Sequence, residues 1–170
     1  MERDELRAVQ GPLKAKYRVD AESAQLTLRA EGELGSRGVS CSVETGQALV
    51  EAGLHPASGG DGALACSGDM LLQALVACAG VTLRSVAVNR AIPLTGGRVI
   101  AEGDLDFRGT MAVDADAPVG FREIRLRFEL ISAAPEEDLD TLLALTERFC
   151  VVYQTLRSGV SVEVSRNRDV

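Results

Sequence analysis

Between residues 70 and 83 the chain offers only Gln73 and Thr82 as polar side chains, so a helix built there is apolar nearly all the way round and has no face suited to water. The rest of the chain must therefore be built around it. A buried central helix is predicted within residues 66–90, with Ser67 as its N-cap and Asp69 in the first turn at the positive end of the helix dipole. The apolar run falls short of the about 20 residues that a bilayer requires, so no membrane span is expected. Ala74, Ala77 and Gly80 are small enough to let another backbone approach closely. Cys78 sits in the middle of the run. Its position alone leaves its role open, because an unpaired cysteine commonly acts as a small buried hydrophobe.

A second helix is predicted over residues 135–150. Pro135 stands at its first position and Glu136, Glu137 and Asp138 follow in the first turn. Leu139, Leu142, Leu143, Thr146, Phe149 and Cys150 then recur on one face at helical spacing, so Cys150 points inward. Beyond it, Tyr153 and Leu156 continue for another turn and Gly159 ends the segment.

Strands are predicted where apolar residues alternate. Residues 26–30 and 39–44 flank a Gly-Ser-Arg-Gly turn at 35–38 and form a hairpin, and residues 47–54 make a third strand. Cys41 falls on the apolar side of its strand and is read as a packing residue. Residues 98–107 and 123–130 read as strands of a sheet wet on one side, separated by a polar loop at 111–120, and Val160, Val162 and Val164 mark a last strand. The glycine-rich residues 55–62 lack the lysine and spacing of a phosphate loop and read as a flexible connector. His55 reads as a surface or capping residue. Residues 2–16 form a short helical or irregular arm, broken at Gly11-Pro12. The order of elements gives an α+β fold with a mostly antiparallel sheet.

At 170 residues the chain suits one domain, an arm over 1–25 and a core over 26–164, and with no Trp its core must be aliphatic. A net charge of −7 with no basic run argues against nucleic acid or an anionic membrane as partner. The charged N-terminus lacks the apolar stretch of a secretory signal, so a cytoplasmic location is expected. Cys41, Cys66, Cys78 and Cys150 show no Cys-x-x-Cys spacing, which in a reducing compartment favours free, catalytic or redox-active thiols over structural disulfides. With His55 the lone histidine, no metal is expected, nor any cofactor.

A buried helix with a central cysteine, followed about seventy residues later by an amphipathic helix closing on a second cysteine, resembles the OsmC/Ohr family of osmotically inducible and organic hydroperoxide resistance proteins. The resemblance spans roughly residues 26–164 and implies the OsmC-like fold, a mostly antiparallel sheet wrapped on a buried central helix in an intertwined homodimer. For the family's peroxidases it implies that Cys78 attacks an organic hydroperoxide and becomes a sulfenic acid. Cys150 then resolves this to a disulfide, and a dithiol, dihydrolipoyl in the Ohr branch, reduces the disulfide. The chemistry is consistent with a thiolate nucleophile protected from over-oxidation by a neighbouring thiol. The family's arginine maps to Arg37, with Arg29 as the alternative, and its glutamate ten residues before the first cysteine maps to Gly68. Asp69 is adjacent, shorter and one residue out of phase. Ala79 and Val151 stand where many members carry Phe and Pro. Cys66, about 18 Å from Cys78 along one helix, reads as an inert thiol. A non-catalytic relative binding an apolar small molecule is the alternative function.

Overall fold

A computed structural model describes residues 3–20, 32–34, 40–44 and 49–166 of the chain. The predicted central helix is α2, Ser67–Arg90, numbered after an N-terminal helix α1. Cys66 rather than Ser67 takes the N-cap position, with no side-chain cap hydrogen bond, and Asp69 lies in the first turn as expected. The helix stops at Ala91, whose left-handed backbone (φ 58°) lets its N–H return to the carbonyls of Ala87 and Val88. Pro93, two residues on, disfavours any continuation.

Helix α1, Arg3–Val19, passes straight through Gly11 and Pro12, where a break was predicted. An interior proline costs a helix about 3 kcal/mol. Here α1 lies against α2, and Leu6, Val9, Leu13 and Tyr17 recur at helical spacing, so tertiary context overrides local propensity.

Among the described residues the strands lie in two sheets. In the first, β1 (Gly32–Leu34), β2 (Ser40–Glu44), β3 (Leu49–Gly53) and β4 (Ala65–Cys66) lie in that order. The predicted hairpin appears as the antiparallel pair β1 and β2, with Leu34 opposite Cys41. Strand β4 joins β3 in parallel and is too short for periodicity to reveal. The predicted strand at 26–30 and the turn at 35–38, with Arg29 and Arg37, lie outside the described residues. The connector at 55–62 is ordered by a 3-10 turn over Pro56–Ser58, with His55 as its cap: His55 Nδ1 accepts the Ala57 N–H at 3.0 Å.

The second sheet is the antiparallel pair β5 (Gly96–Asp104) and β6 (Glu123–Ile131), with Val99 opposite Phe128 and Ala101 opposite Leu126. The alternation of β6 matches the prediction, whereas β5 stops at Asp104, short of the predicted end at Phe107, which starts a helix. Ile124, Leu126, Phe128 and Leu130 turn inward, while Arg125 and Arg127 stay exposed. On the wet face Arg98 pairs with Glu129 at 2.6 Å and Arg125 with Asp104 at 2.5 Å, exposed pairs that add little to stability. The predicted loop between the strands is preceded by a short helix, α3 (Phe107–Thr110), capped by the Asp106 carboxylate.

Helix α4, Glu136–Phe149, packs on α2. Leu83, Val86 and Ala87 of α2 meet Ile92 and Leu142 in an aliphatic core, flanked by Phe128, Leu130, Leu139 and Leu143. Leu142 is fully buried, which contributes about 2 kcal/mol. After Cys150 the chain restarts as α5, Val151–Ser158.

Two expectations are corrected here. Residues 160–164 form no strand: Val160, Val162 and Val164 are 64, 80 and 90% exposed. Alternation reports a one-sided apolar segment, but a strand also needs a neighbouring edge, and no described strand runs beside this one. The central helix is also not buried all round within one chain. Leu75, Ala79, Leu83, Val86 and Ala87 are buried, whereas Leu71 is 38% and Val81 73% exposed. By length and composition α2 would suffice to cross a membrane. Its packing on α4, α5 and β5 makes it the core helix of a globular domain.

Candidate active site

Two helices of different origin bring Cys78 and Cys150 together. Cys78 lies midway along α2, and Cys150 lies at the break between α4 and α5, in extended conformation (φ −74°, ψ 110°). Thr146, one turn earlier, is buried and donates its hydroxyl to the Leu142 carbonyl at 2.7 Å, which fixes the end of α4. The chain then re-enters a helix, and the Gln154 N–H reaches back to the Cys150 carbonyl at 2.9 Å.

A helix leaves its first N–H groups without intrahelical acceptors. At the start of α5 no side chain caps them and no acidic residue stands in the first turn. Both thiols lie near them, Cys78 by Val151 and Val152 and Cys150 by Val152 and Tyr153. Burial pushes the Cys78 thiol up, but the nearby Val152 N–H, Cys150 thiol, Val151 N–H and Thr82 hydroxyl act against it, and together they bring it below the ordinary thiol value. All four are uncharged donors.

Cys150 moves the other way. Burial raises it first; the Tyr153 and Val152 N–H groups act against this, while Cys78 and the charge there raise it further. It is 1% exposed. The two thiols thus act on one another with opposite tendencies, one toward thiolate and one toward thiol. Both are free of disulfide, as is Cys66.

Near this pair, though lined by neither thiol, is a cleft of about 540 Å³ of mixed character, with Leu75, Phe121, Phe128 and Leu156 on its apolar side and Arg122, Glu123, Glu147 and Arg157 on its charged side. Leu75 is one turn before Cys78, and Tyr153 directly follows Val152. Tyr153 donates its hydroxyl to the Glu147 carboxylate at 3.2 Å.

The remaining predicted residues are placed elsewhere or lie outside the described residues. Asp69 is exposed, makes no ion pair among the described residues, and stands about 14 Å along the helix from Cys78. Arg37 lies outside the described residues. A side chain added at Gly68 would first meet Phe121 at 3.5 Å, the Cys66 sulfur at 3.6 Å and Leu105 at 3.7 Å, an apolar setting for a carboxylate. Cys66 and His55 line a separate cleft of about 380 Å³ with Phe107 and Phe121, at the far end of α2 from Cys78. No cluster of three His, Cys, Asp or Glu side chains suited to a metal occurs among the described residues. The sequence reading missed Thr82 and the Val151 and Val152 amides. Thr82 was open to discovery, being one of two polar residues in the apolar run and one turn past Cys78.

The sequence model of a family described as OsmC-like protein matches residues 60–165. An OsmC-like protein of Mycoplasma pneumoniae is similar in structure, at TM-score 0.66 and 18% identity, with 79% of this chain and 90% of that one covered. An organic hydroperoxide resistance protein, OsmC, of Legionella pneumophila aligns at TM-score 0.61 and 19% identity, covering 81% and 94%. One from Elizabethkingia anophelis aligns at 0.62 and 18%, covering 79% and 91%. No curated protein sequence matches the chain.

Proposed function

The chain belongs to the OsmC-like family, the family model matching more than half of its length, and from that premise we propose that it is a thiol-dependent peroxidase of organic hydroperoxides, acting in oxidative-stress defence in the cytoplasm. The observation that carries this reading is the pairing of Cys78 midway along α2 with Cys150 at the break between α4 and α5, two free thiols close enough to act on one another, the first made more acidic and the second less.

The Cys78 thiolate attacks the terminal oxygen of the hydroperoxide. The O–O bond breaks, the alkoxide takes up a proton and leaves as an alcohol, and Cys78 is oxidised to a sulfenic acid. Cys150 attacks the sulfenic sulfur, its proton and the hydroxide leave as water, and a disulfide joins the two. A dithiol, of the dihydrolipoyl kind, then reduces the disulfide. The 540 Å³ cleft takes the alkyl part of the substrate, which favours bulky hydroperoxides over hydrogen peroxide. Arg37 adds positive charge near the thiolate in this reading, while Asp69, about 14 Å along α2 from Cys78, stands too far away to orient it there.

Stopped-flow oxidation of the reduced protein by cumene hydroperoxide tests it. The rate is expected to exceed that of a free thiol by at least a factor of about 10², and to fall on acidification with a midpoint below the ordinary thiol pKa. A rate no faster than free cysteine would favour the second reading, a non-catalytic stress protein that holds an apolar molecule in the same cleft. Gly68 in its apolar surroundings supports that alternative.

The reading also makes the active form a homodimer. The exposed apolar side of α2 at Leu71 and Val81, and the unpaired Val160, Val162 and Val164, support this, since large apolar surfaces on one chain call for a cover. Sedimentation velocity is expected to give twice the 18.0 kDa chain mass, and Val81→Glu to shift the protein toward monomer. A monomeric wild-type protein at micromolar concentration contradicts the dimer.

A further inference from the structure

We infer that Phe121 sets the length of alkyl chain that the 540 Å³ cleft accepts: its ring is the wall between that cleft and the 380 Å³ cleft at the start of α2, and an unbranched chain ends against it. The inference rests on the reading that the larger cleft takes the alkyl part of the substrate, and adds the residue that limits it.

Three observations carry it. Among the described residues Phe121 alone lines both clefts. The smaller one takes Cys66, Gly68 and Leu71 of α2 and the larger takes Leu75, so the two follow one another along the same helix toward Cys78. Next, the ring has a seat made for it. A methyl group at Gly103 of β5 would come within 2.5 and 2.6 Å of two ring carbons, closer than such atoms pack, so glycine there is what lets the ring lie against the strand. On its other side the ring lies 3.5 Å from where a methyl at Gly68 would stand, in contact range of α2. Finally, the backbone beside the ring is tied down, the Arg122 N–H donating to the Asp104 carbonyl at 2.8 Å. The ring thus bridges β5 and α2 as a fixed stop. From the Gly68–Leu72 turn of α2 to Cys78 is about 9 to 15 Å along the helix, the length open to a chain whose reactive end lies near the thiols. Beyond the ring, Leu71, Leu105 and Phe107 offer further apolar room that Phe121 closes off.

Isothermal titration calorimetry of the full chain with straight-chain fatty acids, from octanoic to hexadecanoic acid below their micelle concentrations, tests this. In wild type the affinity is expected to rise about fourfold per methylene and to level off between octanoic and dodecanoic acid. In Phe121→Ala the rise should continue, so that hexadecanoic acid binds at least about tenfold tighter than to wild type. Adding Leu105→Trp to Phe121→Ala fills the smaller cleft and is expected to restore the wild-type break, which a mere loosening of the fold would not allow. Phe121→Leu, a milder change that keeps the inference testable if the alanine variant does not fold, should move the break the same way by less. An affinity that keeps rising to hexadecanoic acid in wild type, an unmoved break in the Phe121 variants, or a break that Leu105→Trp does not restore overturns the inference. Absence of binding in every protein overturns it together with the assignment of the cleft. The assay contains no peroxide, so inertness toward cumene hydroperoxide counts against the peroxidase reading and leaves the result on Phe121 standing.

Discussion

Cys78→Ser is expected to lower hydroperoxide consumption at least about a thousandfold while the protein stays folded. Sulfur is lost and the fold is not, because Cys78 is only half-buried and the neighbouring core rests on Leu75, Ala79 and Leu83. A serine hydroxyl at the same place meets the same donors but does not ionise near neutral pH, and a neutral hydroxyl is a poor nucleophile toward peroxide. Initial rates with cumene hydroperoxide and a dithiol, alongside a circular dichroism melt, check both halves of the expectation. Activity surviving in a folded Cys78→Ser protein would move the chemistry to another thiol, and Cys66 in its own cleft is then the candidate.

Cys150→Ser should act on a different step. The first oxidation is expected within a few-fold of wild type, since serine still donates a hydrogen bond toward Cys78. Turnover with dithiol is expected to fall about ten- to a hundredfold, because no thiol is left beside the sulfenic acid. Excess hydroperoxide should then drive Cys78 on to the sulfinic acid. Intact-mass measurement after stepwise addition follows this as successive gains of oxygen on one peptide. A Cys150→Ser protein that turns over like wild type would remove Cys150 from the cycle.

Much of this arrangement is legible in the amino-acid sequence. An apolar helix with one central cysteine, and a second helix whose inward face ends on Cys150, follow from periodicity and punctuation, and the inward row of β6 follows from strict alternation. Other features depend on what neighbours each element. Pro12 predicts a break, yet α1 continues because it lies on α2. The valines at 160–164 alternate as a strand does and have no paired edge among the described residues, because periodicity describes a face and carries no information about a partner edge. The site divides in the same way. Residue types and spacing single out Cys78 and Cys150, but the donors that bias them arise at the restart of the chain after Cys150, where backbone N–H groups rather than side chains do the chemistry. Backbone donors leave no trace in residue identity. Thr82 does leave one, as an isolated polar residue one turn from the thiol.

The central claim, that Cys78 and Cys150 form one redox unit, is tested most directly by adding one equivalent of cumene hydroperoxide to the fully reduced protein and mapping its disulfides by peptide mass spectrometry. A single disulfide between Cys78 and Cys150 within one chain is the predicted product, formed with loss of both free thiols and with Cys66 still reduced. A protein in which Cys78 remains reduced, or in which it pairs with Cys66 while Cys150 stays free, would contradict the account.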